Sequence, residues 1–170
     1  EWVGGAPEAA PDEDGLSRVA FAVEGATARV FRFRDRLRED AAATIRALHA
    51  AGLETRLLSG DRAAAVAATA RTLGVSAFAA EMRPADKLAE LAALRAAGRH
   101  ALMVGDGVND APALAAASVS MSPASGADVS RAAADLVFTG ERLGAVVEAH
   151  ALARLARRRA LENFAIAALY

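Results

Sequence analysis

From residue 35 onward the chain alternates short apolar runs with helical stretches, and three of the helices are closed by a glycine. The spacing predicts helices over 40–51, 62–73 and 84–97, stopped by Gly52, Gly74 and Gly98, where a residue without Cβ relieves the left-handed end of a helix. Strands are expected over 53–58, 75–80, 100–104, 119–121 and 136–138. Shorter helices are expected over 111–117 and 125–134, and a long one over 143–161. Strands that alternate with helices must cross over to run in the same direction, so the expected fold is α/β. It is a Rossmann-like parallel sheet with helices on both faces. Ahead of it, 16–23 and 26–33 alternate apolar and polar residues around Glu24-Gly25 and read as a β-hairpin.

The remaining bulk features narrow the function. Twenty basic and 21 acidic residues give a net charge of −1, which argues against a nucleic-acid binder. Without cysteine there is no disulfide framework and no thiolate metal site. Residues 1–14 are acidic and rich in Pro, Gly and Ala, and they lack the apolar core of a signal peptide. At the other end Arg157-Arg158-Arg159 precedes an apolar run to Tyr170, the pattern of a membrane entry from the cytoplasmic side. That run is shorter than the roughly 20 apolar residues of a full span.

Ligands of open parallel sheets gather at the carboxyl ends of the strands, and two polar loops fall there. Ser59-Gly60-Asp61 follows one strand, and Gly105-Asp106-Gly107-Val108-Asn109-Asp110 follows another. Asp106 and Asp110 are hard oxygen ligands in a glycine-flanked turn, suited to Mg²⁺, which takes few carboxylates and keeps its other positions for water or phosphate. Asn109 and the Ser59 hydroxyl offer donors to a phosphoryl group. Lys87, in the first turn of its helix, sits where the macrodipole disfavours a cation, so an anion is expected beside it. Together these groups describe a phosphoryl-transfer site. Ser-Gly-Asp alone is ordinary turn chemistry, whereas the eight-residue run 105–112 is too specific to be only a turn. His49, His100 and His150 are too scattered to form a ligand set.

The run Met103-Val104-Gly105-Asp106-Gly107-Val108-Asn109-Asp110-Ala111-Pro112-Ala113-Leu114 resembles the hinge signature of P-type ATPases, members of the haloacid-dehalogenase-like superfamily. Asp35-Arg36-Leu37-Arg38 resembles the family's Asp-Pro-x-Arg segment, with Arg36 in place of the usual proline. Ser59-Gly60-Asp61 is similar to Thr-Gly-Asp, and Pro84-Ala85-Asp86-Lys87 to Pro-x-x-Lys. The resemblance implies Mg²⁺ at Asp106 with support from Asp110, and phosphoryl contacts from Ser59, Lys87 and Asn109. It further implies nucleotide or phosphate contacts around Asp35, Arg38, Gly60, Asp61, Gly105 and Gly107, with ATP as the substrate. Residues 1–34 would then end a nucleotide-binding domain, 35–142 form the C-terminal part of the phosphorylation domain, and 143–170 lead into a membrane helix among lipid. The tail resembles copper-type transporters, in which Tyr170 would contact a transported cation such as Cu⁺. Val119-Ser120-Met121-Ser122-Pro123-Ala124 and Trp2-Val3-Gly4 look like the FixI/CcoI-type subgroup.

The family's nucleophile, the aspartate of Asp-Lys-Thr-Gly-Thr, does not occur in the chain. Asp12 and Asp14 follow no apolar strand, and Asp35 has no Thr-Gly neighbour. The resemblance therefore implies a phosphorylated aspartate on another stretch of the same polypeptide, and a chain that is inactive alone. Two alternatives are a stand-alone phosphatase of the superfamily and a non-catalytic module that binds Mg²⁺ or phosphate.

Overall fold

The computed structural model describes residues 17–23, 29–33 and 36–169. The expectations placed on Trp2, Glu24-Gly25, Asp35 and Tyr170 lie outside these residues. Strands β1 (Ser17–Phe21) and β2 (Arg29–Phe33) form the expected antiparallel hairpin, with Ser17 opposite Phe33 and Phe21 opposite Arg29. Phe21, Val30, Phe31 and Phe33 are all exposed.

The α/β part runs α1 (Ala41–Ala50), β3 (Arg56–Leu58), α2 (Ala63–Leu73), β4 (Ala77–Ala79), α3 (Pro84–Ala96), β5 (Leu102–Val104), α4 (Ala111–Ala116), β6 (Val119–Pro123), α5 (Asp128–Ala133), β7 (Leu136–Phe138) and α6 (Ala145–Leu169). Gly74 caps α2 with φ 72°, and Gly52 follows α1 with φ 80°. These are the left-handed stops that the sequence predicts. Helix α5 starts later than expected, because Ser125-Gly126 form a turn in which the Gly126 N–H bonds the Pro123 carbonyl at 2.9 Å. Helix α6 runs on to Leu169 because nothing between 161 and 169 breaks it.

Every strand pair in this part is parallel, but the sheet is split. β3 pairs with β4, and β5, β6 and β7 pair in that order, with no ladder joining β3 to β5. Alternation on β5 sends successive side chains to opposite faces. Met103 packs with Leu91 of α3 and with Ala113 and Leu114 of α4. On the other face Met121, Phe138 and Val146 of α6 form a second cluster, against which Val104 and Leu48 of α1 pack. Helices therefore cover both faces of the β5–β7 sheet.

The start of α1 is bound to the start of α6. The Asp40 carboxylate accepts the Gly144 N–H at 2.8 Å across 104 positions. That bond, aided by Leu143 and Arg142 and opposed by burial, holds the Asp40 carboxyl below the usual aspartate range. Beyond residue 150 nearly all of α6 is exposed, including Leu152, Leu155, Phe164 and Ile166. Arg158 and Arg159 pair with Glu162 at 2.8 and 2.9 Å. No helix among the described residues is long and apolar enough to cross a membrane, so the expected membrane-entering helix is present as a helix but not as a span.

Candidate active site

Both polar loops emerge where expected, but they are built differently. After β3, the Ser59 N–H bonds the Ala79 carbonyl at 3.0 Å and extends the ladder with β4 by one step. The Ser59 hydroxyl donates to Asp61 at 2.8 Å and accepts the Asp61 N–H at 3.2 Å, a local turn that satisfies itself. The loop is tied to the approach to α3, because Met82 N–H reaches the Ser59 carbonyl at 3.0 Å and Glu81 N–H the Asp61 carbonyl at 2.8 Å. Glu81 takes φ 55° there, an uncommon conformation for a residue with a side chain.

Helix α3 then carries Lys87 to the second loop. Pro84 opens the helix, where its missing N–H costs nothing, and Asp86 reaches back to the Arg83 N–H at 2.8 Å. This bond and the Arg83 side chain keep the Asp86 carboxyl below its ordinary range. Lys87 is buried, and its ammonium meets the Asp110 carboxylate at 2.6 Å. The anion expected beside this lysine is Asp110, supplied by the turn after β5.

That turn places its two acids in opposite environments. Asp110 binds Lys87 through Oδ1 and accepts the Gly107 N–H at 3.3 Å through Oδ2, and its side chain is 15% exposed. Asp106 is 65% exposed, and its carboxylate lies 3.9 Å from the Arg38 guanidinium. Arg38 in turn donates to the Glu141 carbonyl at 2.5 Å. Asn109 is exposed. A Cβ on Gly105 would lie 2.8 Å from the Asp110 Cβ, so only glycine lets the chain pass Asp110 so closely.

The donor chemistry fits half of a Mg²⁺ site. One open carboxylate, Asp106, matches an ion that takes one or two carboxylates and completes its octahedron with water and phosphate. Both oxygens of Asp110 are engaged within the protein, so Asp110 braces the turn from behind. No cluster of three or more metal-ligating side chains occurs among the described residues. Arg36, Arg38, Asp40, Glu141 and Arg142 line a charged cleft of about 550 Å³ next to this turn.

The structure thus joins Ser59, Gly60 and Asp61 to the start of α3, and joins Lys87 of that helix to Gly105, Gly107 and Asp110, with Asp106 and Arg38 in contact at the rim. Sequence reasoning missed Asp40, Glu81 and Ser130, whose bonds span distant positions or rest on backbone geometry.

A parallel sheet with a hydroxyl loop, a helix-borne lysine and an acidic turn at its carboxyl edge defines a class, and the chain belongs to the haloacid dehalogenase-like hydrolases, whose family model matches residues 1–118. Within that class its homologues are FixI proteins and copper-exporting P-type ATPases. The nitrogen fixation protein FixI of Rhizobium leguminosarum bv. viciae is 48% identical over 91% of this chain and 20% of its own length. The probable copper-exporting P-type ATPase V of Mycobacterium tuberculosis is 38% identical over 89% of this chain and 20% of its own length. The crystal structure of a zinc-transporting PIB-type ATPase superposes with a TM-score of 0.74, at 36% identity over 81% of this chain and 24% of that one. The chain spans about a fifth of the length of these curated relatives.

Proposed function

We propose that this chain is the C-terminal part of the phosphorylation domain of an ATP-driven metal-cation pump, with copper as the cargo. The observation that carries the reading is the Lys87–Asp110 pair at 2.6 Å. It draws the helix whose approach is bonded to the Ser59 loop onto the acidic turn, which links a hydroxyl, an ammonium and an open carboxylate carried by two separate strand sets. In this reading Asp106 holds Mg²⁺, which when bound neutralises charge on the transferred phosphoryl group. Ser59 turns its hydroxyl from Asp61 to the phosphoryl oxygens, and Lys87 lends positive charge behind them. Asn109 donates from the exposed end of the turn, and Asp110 keeps Lys87 and the turn in register. Arg38 and the cleft beside it, together with Gly60 and Asp61, are assigned to the nucleotide side, as is Asp35.

The nucleophilic aspartate is assigned to another part of the polypeptide, on a strand lying between β3 and β5. Two observations support this assignment. No ladder connects those strands, and the relatives are far longer than this chain. Residues 1–34 close a nucleotide-binding domain, whose remainder covers the exposed aromatic residues of the hairpin. Residues 35–142 belong to the phosphorylation domain in the cytoplasm. Helix α6 carries the chain to the membrane, with Arg157 near the lipid headgroups and Tyr170 close to the transported cation. The names of the curated relatives favour copper over zinc.

The test is labelling of the complete pump with [γ-³²P]ATP and Mg²⁺. An acid-stable, hydroxylamine-labile phosphoprotein is expected, raised by Cu⁺ more than by Zn²⁺ and lost in Asp106→Asn. Formation of the same adduct by the 170-residue chain alone would overturn the assignment of the nucleophile and favour a stand-alone phosphatase.

A further inference from the structure

The acidic turn is held from behind by a segment that takes no part in the proposed chemistry. Its backbone carbonyls point away from the site, toward the stretch from Gly126 to Ser130. Ala127 N–H donates to the Asp106 carbonyl at 2.8 Å. The Ser130 hydroxyl donates to the Gly107 carbonyl at 2.5 Å, and that carbonyl also accepts the Asp110 N–H at 2.9 Å. Ser130 has no exposed surface. The approach is close enough to require glycine, since a Cβ on Gly126 would lie 2.9 Å from Ser122 Oγ and 3.1 Å from the Asp106 carbonyl oxygen.

From this geometry we infer that Ser130 is a positioning residue for Mg²⁺ binding, acting through the Gly107 carbonyl to fix the backbone from which Asp106 presents its carboxylate; the inference rests on the reading of Asp106 as the metal ligand. A peptide group is planar, and no cis bond occurs among the described residues. Pinning the Gly107 carbonyl therefore also fixes the Val108 N–H on the opposite side of the same peptide. With the hydroxyl removed, the Gly107 carbonyl keeps only the Asp110 N–H, and the peptide joining Gly107 to Val108 loses one of its two anchors, while the preceding peptide stays held by the Ala127 N–H and the Asp110 carboxylate. Groups that orient a metal ligand without touching the metal typically change affinity by about 10–100-fold when removed. Asp106 is the only exposed acid of the turn, so the loss falls on a single ligand.

The experiment titrates the complete pump, ¹⁵N-labelled only in this 170-residue segment, with MgCl₂, following the amides of residues 105–110, and measures amide exchange on the same samples. Ser130→Ala is expected to shift the Val108 amide, to speed its exchange, and to weaken Mg²⁺ binding by about tenfold. Ser130→Cys, which keeps a weaker donor of similar size, is expected to fall between the two, and it serves as the working variant should the alanine form not fold. Ser120→Ala is the control. It removes an equally buried hydroxyl, bonded to Asp135 at 2.9 Å, and is expected to lower Tm while leaving Mg²⁺ affinity at the wild-type value. Turn amides and Mg²⁺ affinity unchanged in Ser130→Ala would overturn the inference. Asp106→Asn separates the two layers. If this variant bound Mg²⁺ as tightly as the wild type, Asp106 would be removed from the metal site, and the role of Ser130 would fall with it even where the amides move.

Discussion

The loops after β3 and β5 occupy equivalent places at the carboxyl ends of parallel strands, yet one is closed on itself and the other is braced from two sides. In 59–61 the hydroxyl and carboxylate satisfy each other at the surface, and backbone bonds to 79, 81 and 82 tie the loop down. In 105–110 a buried ammonium reaches in from α3, and a backbone N–H and a buried hydroxyl reach in from the start of α5. A phosphoryl-transfer site has reason for both kinds. A metal ligand must hold its position within tenths of an ångström, whereas a hydroxyl that follows a moving phosphoryl group must be able to change partners. The difference is one of anchoring, and anchoring is measurable as stability.

The largest effect is expected at Lys87. Its ammonium is 9% exposed and the Asp110 carboxylate 15%. Lys87→Ala leaves that carboxylate without its counter-charge, and breaking such a pair costs about 3–5 kcal/mol. Urea denaturation of Lys87→Ala, Asp110→Asn and the double variant checks this. The double variant should recover much of the single loss, and strict additivity would mean that the pair does not brace the turn.

A smaller contrast is expected between two glycines. A Cβ at 105 would fall 2.8 Å from the Asp110 Cβ and 3.0 Å from its Cγ, and Asp110 cannot retreat without releasing Lys87. Gly105→Ala is therefore expected to cost about 1–3 kcal/mol. At position 60 the new Cβ would meet only the Met82 carbonyl, at 3.2 Å, and the surface loop can shift. Gly60→Ala should cost less than about 1 kcal/mol. Thermal denaturation ranks the two, and the reverse order would break the comparison between the loops.

How much of this the sequence disclosed depends on the range of each interaction. The helix stops at Gly52 and Gly74 were legible because a C-cap is settled within a few residues. The parallel strands and the two loops were legible because crossover connections leave little choice of topology. Lys87 was legible as a cation in need of an anion, but that anion proved to be Asp110, which sequence reasoning had assigned to support the metal. One carboxylate cannot be matched to one of two partners by spacing alone when Lys87 lies 23 positions away. Ser130 and Asp40 carried no signal for the same reason, since their bonds span 23 and 104 positions. The split of the sheet was equally hidden, because pairing between strands so far apart in sequence is not set by spacing.

The smallest effect is expected at Ser59. Removing its hydroxyl deletes the 2.8 Å bond to Asp61 and the acceptor for the Asp61 N–H. Asp61 is exposed, and water can replace both bonds. A hydrogen bond exchanged for water at the surface changes stability little, so Ser59→Ala should stay within about 1 kcal/mol of wild type by urea denaturation. Ser59→Thr, which keeps the hydroxyl, should be indistinguishable from it. A loss in Ser59→Ala as large as that in Gly105→Ala would mean that the first loop is anchored as firmly as the second. The Ser59 hydroxyl would then be a fixed strut, with no freedom to leave Asp61 for a phosphoryl oxygen.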